Sequence, residues 1–206
     1  MDLDQSDFEK IVEFLSLENF FVDKNFSPKS IGDGQSNPTF LIRDIENNFK
    51  VLRTQPTGNL ARGAHRVDRE YFVLKALSNK SFEAPEPFVL CDNSELIGRM
   101  FYVMNFEDGD INFDPFLSNE NFKNKKKIYK SLAQVLGKLH SYDINELNLP
   151  FKKNHGFMKR NLSLWYDQIF HDDSTKDKEI EKIYKNILTK LPSDGDLSLL
   201  HGDFKL

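Results

Sequence analysis

A short glycine-rich run early in the chain could bind an anion such as phosphate. Two glycines and small polar residues follow one another in Gly32-Asp33-Gly34-Gln35-Ser36, and predicted strands lie on either side. A turn of this composition can bring backbone N–H groups close to an anion. The same composition is typical of a plain hairpin turn without a ligand. Gly34, Gln35 and Ser36 are therefore candidates for phosphate binding only in combination with other features.

A cation and a carboxylate follow at positions where they could meet. Arg53 ends a predicted strand at the place where a nucleotide-binding cation would sit. A helix is predicted over residues 64–78, because apolar residues recur there at helical spacing. Glu70 lies beside the apolar stripe of this helix, and a carboxylate on a core-facing flank needs a cationic partner because burying an unpaired charge is costly. The sequence therefore predicts an ion pair between Arg53 and Glu70.

A second carboxylate lies near the end of the sequence, in the run His201-Gly202-Asp203-Phe204. The apolar residues 197–200 precede it, and they predict a buried strand that leads into a loop. Asp203 would then stand just beyond a strand end. Taken alone, the triplet is more typical of a polar turn in which Gly202 adopts an unusual backbone angle and Asp203 caps the next element.

The elements that must position these residues form a strand-rich half and a helical half. Ser6 and Glu9 predict a capping box for a first helix that ends near Glu18. Two strands are predicted within residues 31–42, on either side of the glycine-rich turn. With further strands near 49–53, 88–91 and 100–104 they predict a five-stranded sheet. The polar residues 105–110 then mark the boundary between residues 1–107 and 108–206, since short polar linkers separate domains. Apolar periodicity predicts three later helices, around 128–139, 162–170 and 180–191.

Composition excludes several classes of function. The chain of 206 residues is 39% hydrophobic and 29% charged, as in an ordinary globular protein, and its net charge of -4 argues against a nucleic-acid surface. The single cysteine, Cys91, cannot form an internal disulfide, and no His or Cys spacing suggests a metal site. The acidic N-terminus is not followed by a long apolar run, which argues against a signal peptide or membrane span. We therefore expect a cytoplasmic protein.

The order of these features is the order that a two-lobed kinase needs. Phosphoryl transfer consists mostly of positioning phosphates and a hydroxyl and of neutralising charge. The sequence resembles the aminoglycoside phosphotransferase-like kinases, in the branch associated with acyl-CoA dehydrogenases. The resemblance spans the chain and rests on Gly34-Gln35-Ser36-Asn37-Pro38-Thr39, Val51-Leu52-Arg53, Gly63-Ala64-His65-Arg66-Val67-Asp68-Arg69-Glu70-Tyr71, Phe101-Tyr102-Val103-Met104, Leu139-His140-Ser141 and His201-Gly202-Asp203-Phe204.

This resemblance implies a fold and a set of roles. The fold would be α+β and protein-kinase-like, with an N-lobe built on an antiparallel five-stranded sheet and an incomplete, mainly helical C-lobe. Residues 34–36 would face the phosphates of ATP, Arg53 would hold the α- and β-phosphates and pair with Glu70, and Asp203 would accept a proton from the acceptor hydroxyl or orient it. The adenine-contacting hinge would be Asn105, Phe106 and Glu107, mainly through backbone groups.

The resemblance also implies partners and a departure from the family pattern. The substrate would be a small molecule, of the hydroxyacyl-CoA type, and an acyl-CoA dehydrogenase would be the functional associate. The family's Mg²⁺ ligands would fall after Leu206, so the sequence offers no metal ligand of its own. On this basis we expect a truncated fragment that is poorly soluble and without kinase activity. The alternative is a non-catalytic module, either a pseudokinase-like nucleotide binder or a partner of an acyl-CoA dehydrogenase.

Overall fold

The computed structural model describes residues 3–31, 37–58, 65–112, 114–151, 156–170, 177–193 and 195–204. Within these residues the chain forms a strand-rich half followed by a helical half. The predicted order of strands and helices is confirmed as far as the last described helix. The elements are α1 (Gln5–Leu17), β1 (Lys29–Ser30), β2 (Thr39–Arg43), β3 (Phe49–Thr54), α2 (Val67–Ser78), β4 (Pro87–Cys91), β5 (Phe101–Asn105), α3 (Phe122–Ser141), α4 (Phe157–Ile169) and α5 (Lys178–Thr189).

The five strands form one antiparallel sheet in the order β1-β2-β3-β5-β4. Arg53 of β3 lies between Thr39 of β2 and Tyr102 of β5 in the register. Directly opposed residues of antiparallel strands share one face of the sheet, and successive residues alternate between faces. The register therefore assigns Thr39, Arg53 and Tyr102 to one face, and Leu52 with its partners to the other.

The face that carries Leu52 is the hydrophobic core, and α1 covers it. Leu52 and Phe101 are fully buried, as is Ile11 of the helix. Burial of side chains of this size supplies roughly 1.5–3 kcal/mol each. This packing fixes which face of each strand is turned inward. The members of the core cluster are Phe8, Ile11, Val12, Leu15, Val22, Phe40, Ile42, Leu52, Cys91, Ile97, Phe101 and Val103.

The start of α1 differs from the prediction. Its N-cap is Asp4, whose side chain accepts a hydrogen bond from the backbone N–H of Asp7 at 2.7 Å. Ser6 therefore lies inside the helix and does not form a capping box with Glu9. Asp and Ser are comparably good N-caps, and the apolar periodicity that begins at Phe8 is compatible with either start.

Helix α2 packs over β4 and β5 on the other face of the sheet. Tyr71 and Tyr102 contact edge-to-face with ring centroids 6.1 Å apart, and the Tyr71 hydroxyl donates to the carbonyl of Phe88 at 3.2 Å. The helix begins at Val67, and Ala64, where its start was predicted, lies outside the described residues. Because α2 lies toward β4 and β5, it leaves the β2 and β3 part of this face to other groups.

The helical half contacts the strand-rich half through the loop between α2 and β4. Lys138 at the end of α3 donates to Glu83 at 2.8 Å and to the carbonyl of Ser81 at 3.1 Å. Phe82 and Tyr142 add an edge-to-face ring contact at 6.0 Å. These contacts fix the end of α3 to the loop between α2 and β4. No helix in the described part of the chain is both long and apolar enough to cross a membrane.

The strand predicted over residues 197–200 is not present. These residues have no ladder partner in the described part of the chain, and an apolar stretch becomes a strand only when another strand lies beside it to pair with its backbone. The segment is instead held by Ser198, whose hydroxyl donates to the carbonyl of His140 at 3.0 Å. The turn at 201–203 is therefore attached to the end of α3 and not to a sheet.

Candidate functional site

The predicted ion pair between Arg53 and Glu70 is present on the face of the sheet opposite α1. Arg53 Nε donates to Glu70 Oε2 at 2.7 Å, and Arg53 Nη1 donates to the hydroxyl of Thr39 at 3.0 Å. The third nitrogen, Nη2, donates to no described residue. The Arg53 side chain is 25% exposed, so two of its nitrogens are fixed while the third remains able to bind an anion.

The carboxylate of Glu70 accepts hydrogen bonds from β3, from β5 and from Asn37, which precedes β2. In addition to Arg53, the amide Nδ2 of Asn37 donates to Oε1 at 2.9 Å and the hydroxyl of Tyr102 donates to Oε2 at 3.2 Å. Asn37 and Tyr102 are both buried. Burial raises the pKa of Tyr102, and the negative charge of Glu70 raises it further. The hydroxyl therefore stays protonated and continues to donate to the carboxylate.

The network continues to the residue before α2. His65 Nδ1 lies 3.0 Å from Asn37 Oδ1. The backbone of His65 is in the left-handed region, with φ of 55°, and its carbonyl accepts from Gln55 Nε2 at 2.9 Å. Gln55 in turn bonds to Met100 through both its backbone N–H and its side-chain oxygen. The polar groups around α2 are thus tied to the ends of β3 and β5.

An apolar surface extends from Arg53 along the same face. Leu41, Val51 and Met104 oppose one another across β2, β3 and β5. Val51 is buried, and the other two are half-buried. Beyond them Phe49 lies 6.1 Å from Phe106, edge-to-face, and both rings are partly exposed. The four residue steps from Arg53 to Phe49 span about 13 Å of strand, which suits a nucleoside followed by phosphates.

The predicted hinge residues divide between the two faces. Asn105 pairs with Lys50, and its side-chain oxygen accepts from Lys50 Nζ at 2.9 Å, so this side chain belongs to the face that carries the core. Its backbone N–H donates to the carbonyl of Glu86 at 2.9 Å. Phe106 lies against Phe49, and Glu107 is exposed. We call the face of the sheet opposite α1, which carries Arg53, the open face. Any contact from Asn105 to a ligand on the open face would have to use its backbone.

The predicted turn at Asp203 is exposed and locally ordered. The backbone N–H of Asp203 lies 3.3 Å from His201 Nδ1, and the His201 and Phe204 rings are 5.4 Å apart. Gly202 has φ of 84°, the left-handed conformation that glycine adopts without steric cost. The predicted backbone angle of Gly202 is thus confirmed. The turn predicted to bind phosphate, Gly34, Gln35 and Ser36, lies outside the described residues.

Sequence reasoning did not assign a role to Asn37, His65, Gln55 or Tyr102. The signal that could have found Asn37 is its position directly after the glycine-rich run, since a buried amide requires partners for both of its ends. Gln55 offers a similar signal, because it follows the buried strand β3. Among the described residues no three His, Cys, Asp or Glu side chains form a cluster that could hold a metal ion.

Comparisons with known proteins identify the family of the chain. Residues 27–206 match the phosphotransferase enzyme family. Acyl-CoA dehydrogenase family member 11 of Gallus gallus is 36% identical over 184 residues, which are 87% of this chain but 23% of that protein. This chain thus spans less than a quarter of that relative.

Two solved structures share the fold. A provisionally named aminoglycoside phosphotransferase of Ralstonia eutropha has a TM-score of 0.70 at 24% identity, and the match covers 96% of this chain and 58% of that one. The aminoglycoside phosphotransferase APH(2")-IIa, solved with streptomycin and ATP, has a TM-score of 0.59 at 19% identity, with 91% and 59% of the two chains covered. The chain belongs to the phosphotransferase enzyme family and has its α+β, kinase-like fold.

Proposed function

We propose that this chain is the ATP-binding part of an enzyme that transfers the terminal phosphoryl group of ATP to a hydroxyl of a small molecule. The observation that carries the proposal is the placement of Arg53. Its guanidinium donates to Glu70 and Thr39 through Nε and Nη1, which leaves Nη2 able to donate to a ligand. The guanidinium lies at one end of the apolar surface of the sheet. A fixed guanidinium presents its donors to phosphate oxygens with little further loss of freedom.

In this assignment the nucleotide lies along the open face of the sheet. The purine packs against Leu41, Val51 and Met104 and contacts the backbone of residues 105–107. The triphosphate extends toward Arg53 and toward the turn at residues 34–36, whose backbone N–H groups would surround the phosphates. The nearly neutral, apolar centre of the face suits a flat base, and the cation at its end suits an anion.

The chemistry then requires a positioned hydroxyl. A bond forms between the acceptor oxygen and the γ-phosphorus, and the bond from the γ-phosphorus to the bridging oxygen breaks, so that ADP leaves. Asp203 accepts the hydroxyl proton or orients the hydroxyl for attack. A bound magnesium ion neutralises charge on the transferring group in such reactions, but the described residues supply no cluster for it, and no step here is assigned to it.

The acceptor class rests on the relatives. Proteins that match this chain carry the name acyl-CoA dehydrogenase family member, which favours a hydroxyacyl-CoA-type acceptor. An aminoglycoside acceptor has weaker support, since the structures with that name are at most 24% identical. An assay with hydroxyacyl-CoA and aminoglycoside acceptors in parallel separates the two classes.

Isothermal titration of the chain with ATP and with adenosine tests the nucleotide site. We expect ATP to bind more tightly than adenosine, and Arg53→Met to weaken ATP binding by about tenfold while adenosine binding changes by less than about twofold. Arg43→Met is the matched control, because Arg43 lies on the same face of β2 but pairs with Asp23 at 3.0 Å. An equal loss of ATP affinity in both variants, or none in Arg53→Met, would refute the placement of the phosphates.

A further inference from the structure

The side chain of Asn37 contacts both helix α2 and the segment that leads into it. It directly follows the glycine-rich run, and it contacts Glu70 of α2 and His65, which precedes α2. The side chain is nearly fully buried, with 7% exposure of the residue. A buried amide whose two ends bind different elements cannot move without leaving donors or acceptors unpaired.

The polarity of these contacts is fixed. Asn37 Nδ2 donates to Glu70 Oε1, so Asn37 Oδ1 is the atom that faces His65. Because a carbonyl oxygen can only accept, His65 must carry a proton on Nδ1. The chain of donors therefore runs from His65 to Asn37 and from Asn37 to Glu70, and Glu70 must be the ionised acceptor. Only a side chain with a donor and an acceptor at amide spacing satisfies both neighbours.

We propose that Asn37 is a positioning residue that orients Glu70 and, through Glu70, the guanidinium of Arg53. This inference rests on the proposed nucleotide site. Asn37 does not itself need to touch ATP. It holds Glu70 in the orientation that presents Arg53, and its contact with His65 fixes the amide relative to the start of α2. Loss of the amide donor should therefore weaken phosphate binding through Glu70 and Arg53.

The substitution Asn37→Asp tests this role by means of pH. At high pH the new carboxylate would face Glu70 at hydrogen-bond distance, and two carboxylates in contact share a proton with one raised pKa. At low pH the protonated carboxyl group again offers one donor and one acceptor, as the amide does. The other ionisable groups around this position are His65, Arg53 and Tyr102, so each measurement is expressed relative to wild type at the same pH.

We expect ATP affinity of Asn37→Asp to be about tenfold lower than wild type at pH 8 and within about threefold of it at pH 5.5. The melting temperature should show the same pattern, because a raised folded-state pKa lowers stability at high pH and restores it as pH falls. Asn48→Asp is the matched control. Asn48 Nδ2 also donates to a carboxylate, Asp44 Oδ2 at 3.1 Å, on the exposed hairpin, and its ATP affinity should equal wild type at both pH values.

The outcomes are distinguishable. If wild type binds ATP but Asn37→Asp binds equally well at pH 8, or is weakened equally at both pH values, the positioning role is wrong while the nucleotide site stands. If wild type does not bind ATP, the proposed function fails and the positioning role fails with it. A pH-dependent melting temperature without a pH-dependent ATP affinity assigns Asn37 to stability only and overturns the proposal.

Discussion

The substitution Glu70→Gln removes a charge from the centre of the network while retaining the size and shape of the side chain. The carboxylate accepts from Arg53, Asn37 and Tyr102 at distances of 2.7 to 3.2 Å. A glutamine offers one acceptor oxygen and one amide donor in the same volume. At least one of the three donors must then face an N–H group and lose its partner.

The exposure of the pair sets the size of the effect. Hydrogen bonds to charged groups contribute roughly 1.5–3 kcal/mol, whereas exposed ion pairs contribute roughly 0.2–1 kcal/mol. The side chains of Arg53 and Glu70 are 25% and 37% exposed, so solvent screens the pair in part. We expect Glu70→Gln to lower the free energy of unfolding by about 1–2 kcal/mol. Because Arg53 loses its orienting partner, ATP affinity should fall by about tenfold, or roughly 1.4 kcal/mol.

Urea denaturation of wild type, Glu70→Gln, Arg53→Gln and the double variant measures the coupling. We expect a coupling energy of about 1 kcal/mol that decreases as salt is added, since the pair is partly in solvent. Glu146→Gln is the matched control, because Glu146 binds Lys80 at 2.9 Å but is 66% exposed; its cost should be below about 0.5 kcal/mol. Additive single effects, within about 0.3 kcal/mol, would show that Arg53 and Glu70 act independently.

Three further predictions follow from the same structure. Tyr102→Phe should cost about 1 kcal/mol at pH 7, since it removes one donor to the Glu70 network. Burial raises the pKa of Tyr102 above its ordinary value of 10.0, so wild type should lose stability above about pH 10 more steeply than this variant in pH-dependent melting. In a full-length version of the protein, Asp203→Ala should lower phosphate transfer by about 100-fold, and turnover within about tenfold of wild type would refute its role. Ile11→Ala should cost about 2–5 kcal/mol in urea denaturation, against less than about 0.5 kcal/mol for Ile45→Ala, because Ile11 is fully buried and Ile45 is 64% exposed.

Hydropathy patterns predicted the elements because each pattern reports one buried face. The period of α2 placed Glu70 beside an apolar stripe, and the cost of an unpaired carboxylate was sufficient to predict its pairing with Arg53. The strands could also be predicted from the sequence, since turn residues such as Asn47 separate the apolar runs. The start of α2 was predicted near Ala64, but the helix begins at Val67, so the predicted start is about one turn too early. Residues 34–36 lie outside the described residues, and their role stays a prediction.

Other features could not be read from the sequence because they depend on neighbours distant in the chain. Whether residues 197–200 form a strand depends on a pairing strand, and hydropathy does not encode one. The contacts of Asn37 join residues 28 and 33 positions apart, and an amide carries no periodic signal that would reveal them. The N-cap was predicted at Ser6 and lies at Asp4 for a different reason, since both residue types satisfy the same orphan N–H groups.

The hydrophobic core determines which side chains are available for phosphate chemistry. Successive strand residues point to opposite faces, so burial of Leu52 against α1 forces Arg53 and Val51 onto the open face. The same alternation in β5 places Tyr102 on the open face once Val103 is buried. A slip of one residue in the register would place Arg53 in the core and Leu52 beside Glu70, at a cost of several kcal/mol. The apolar residues of β3 and β5 therefore specify the site although none of them is charged, and substitutions that weaken this packing should reduce ATP affinity together with stability.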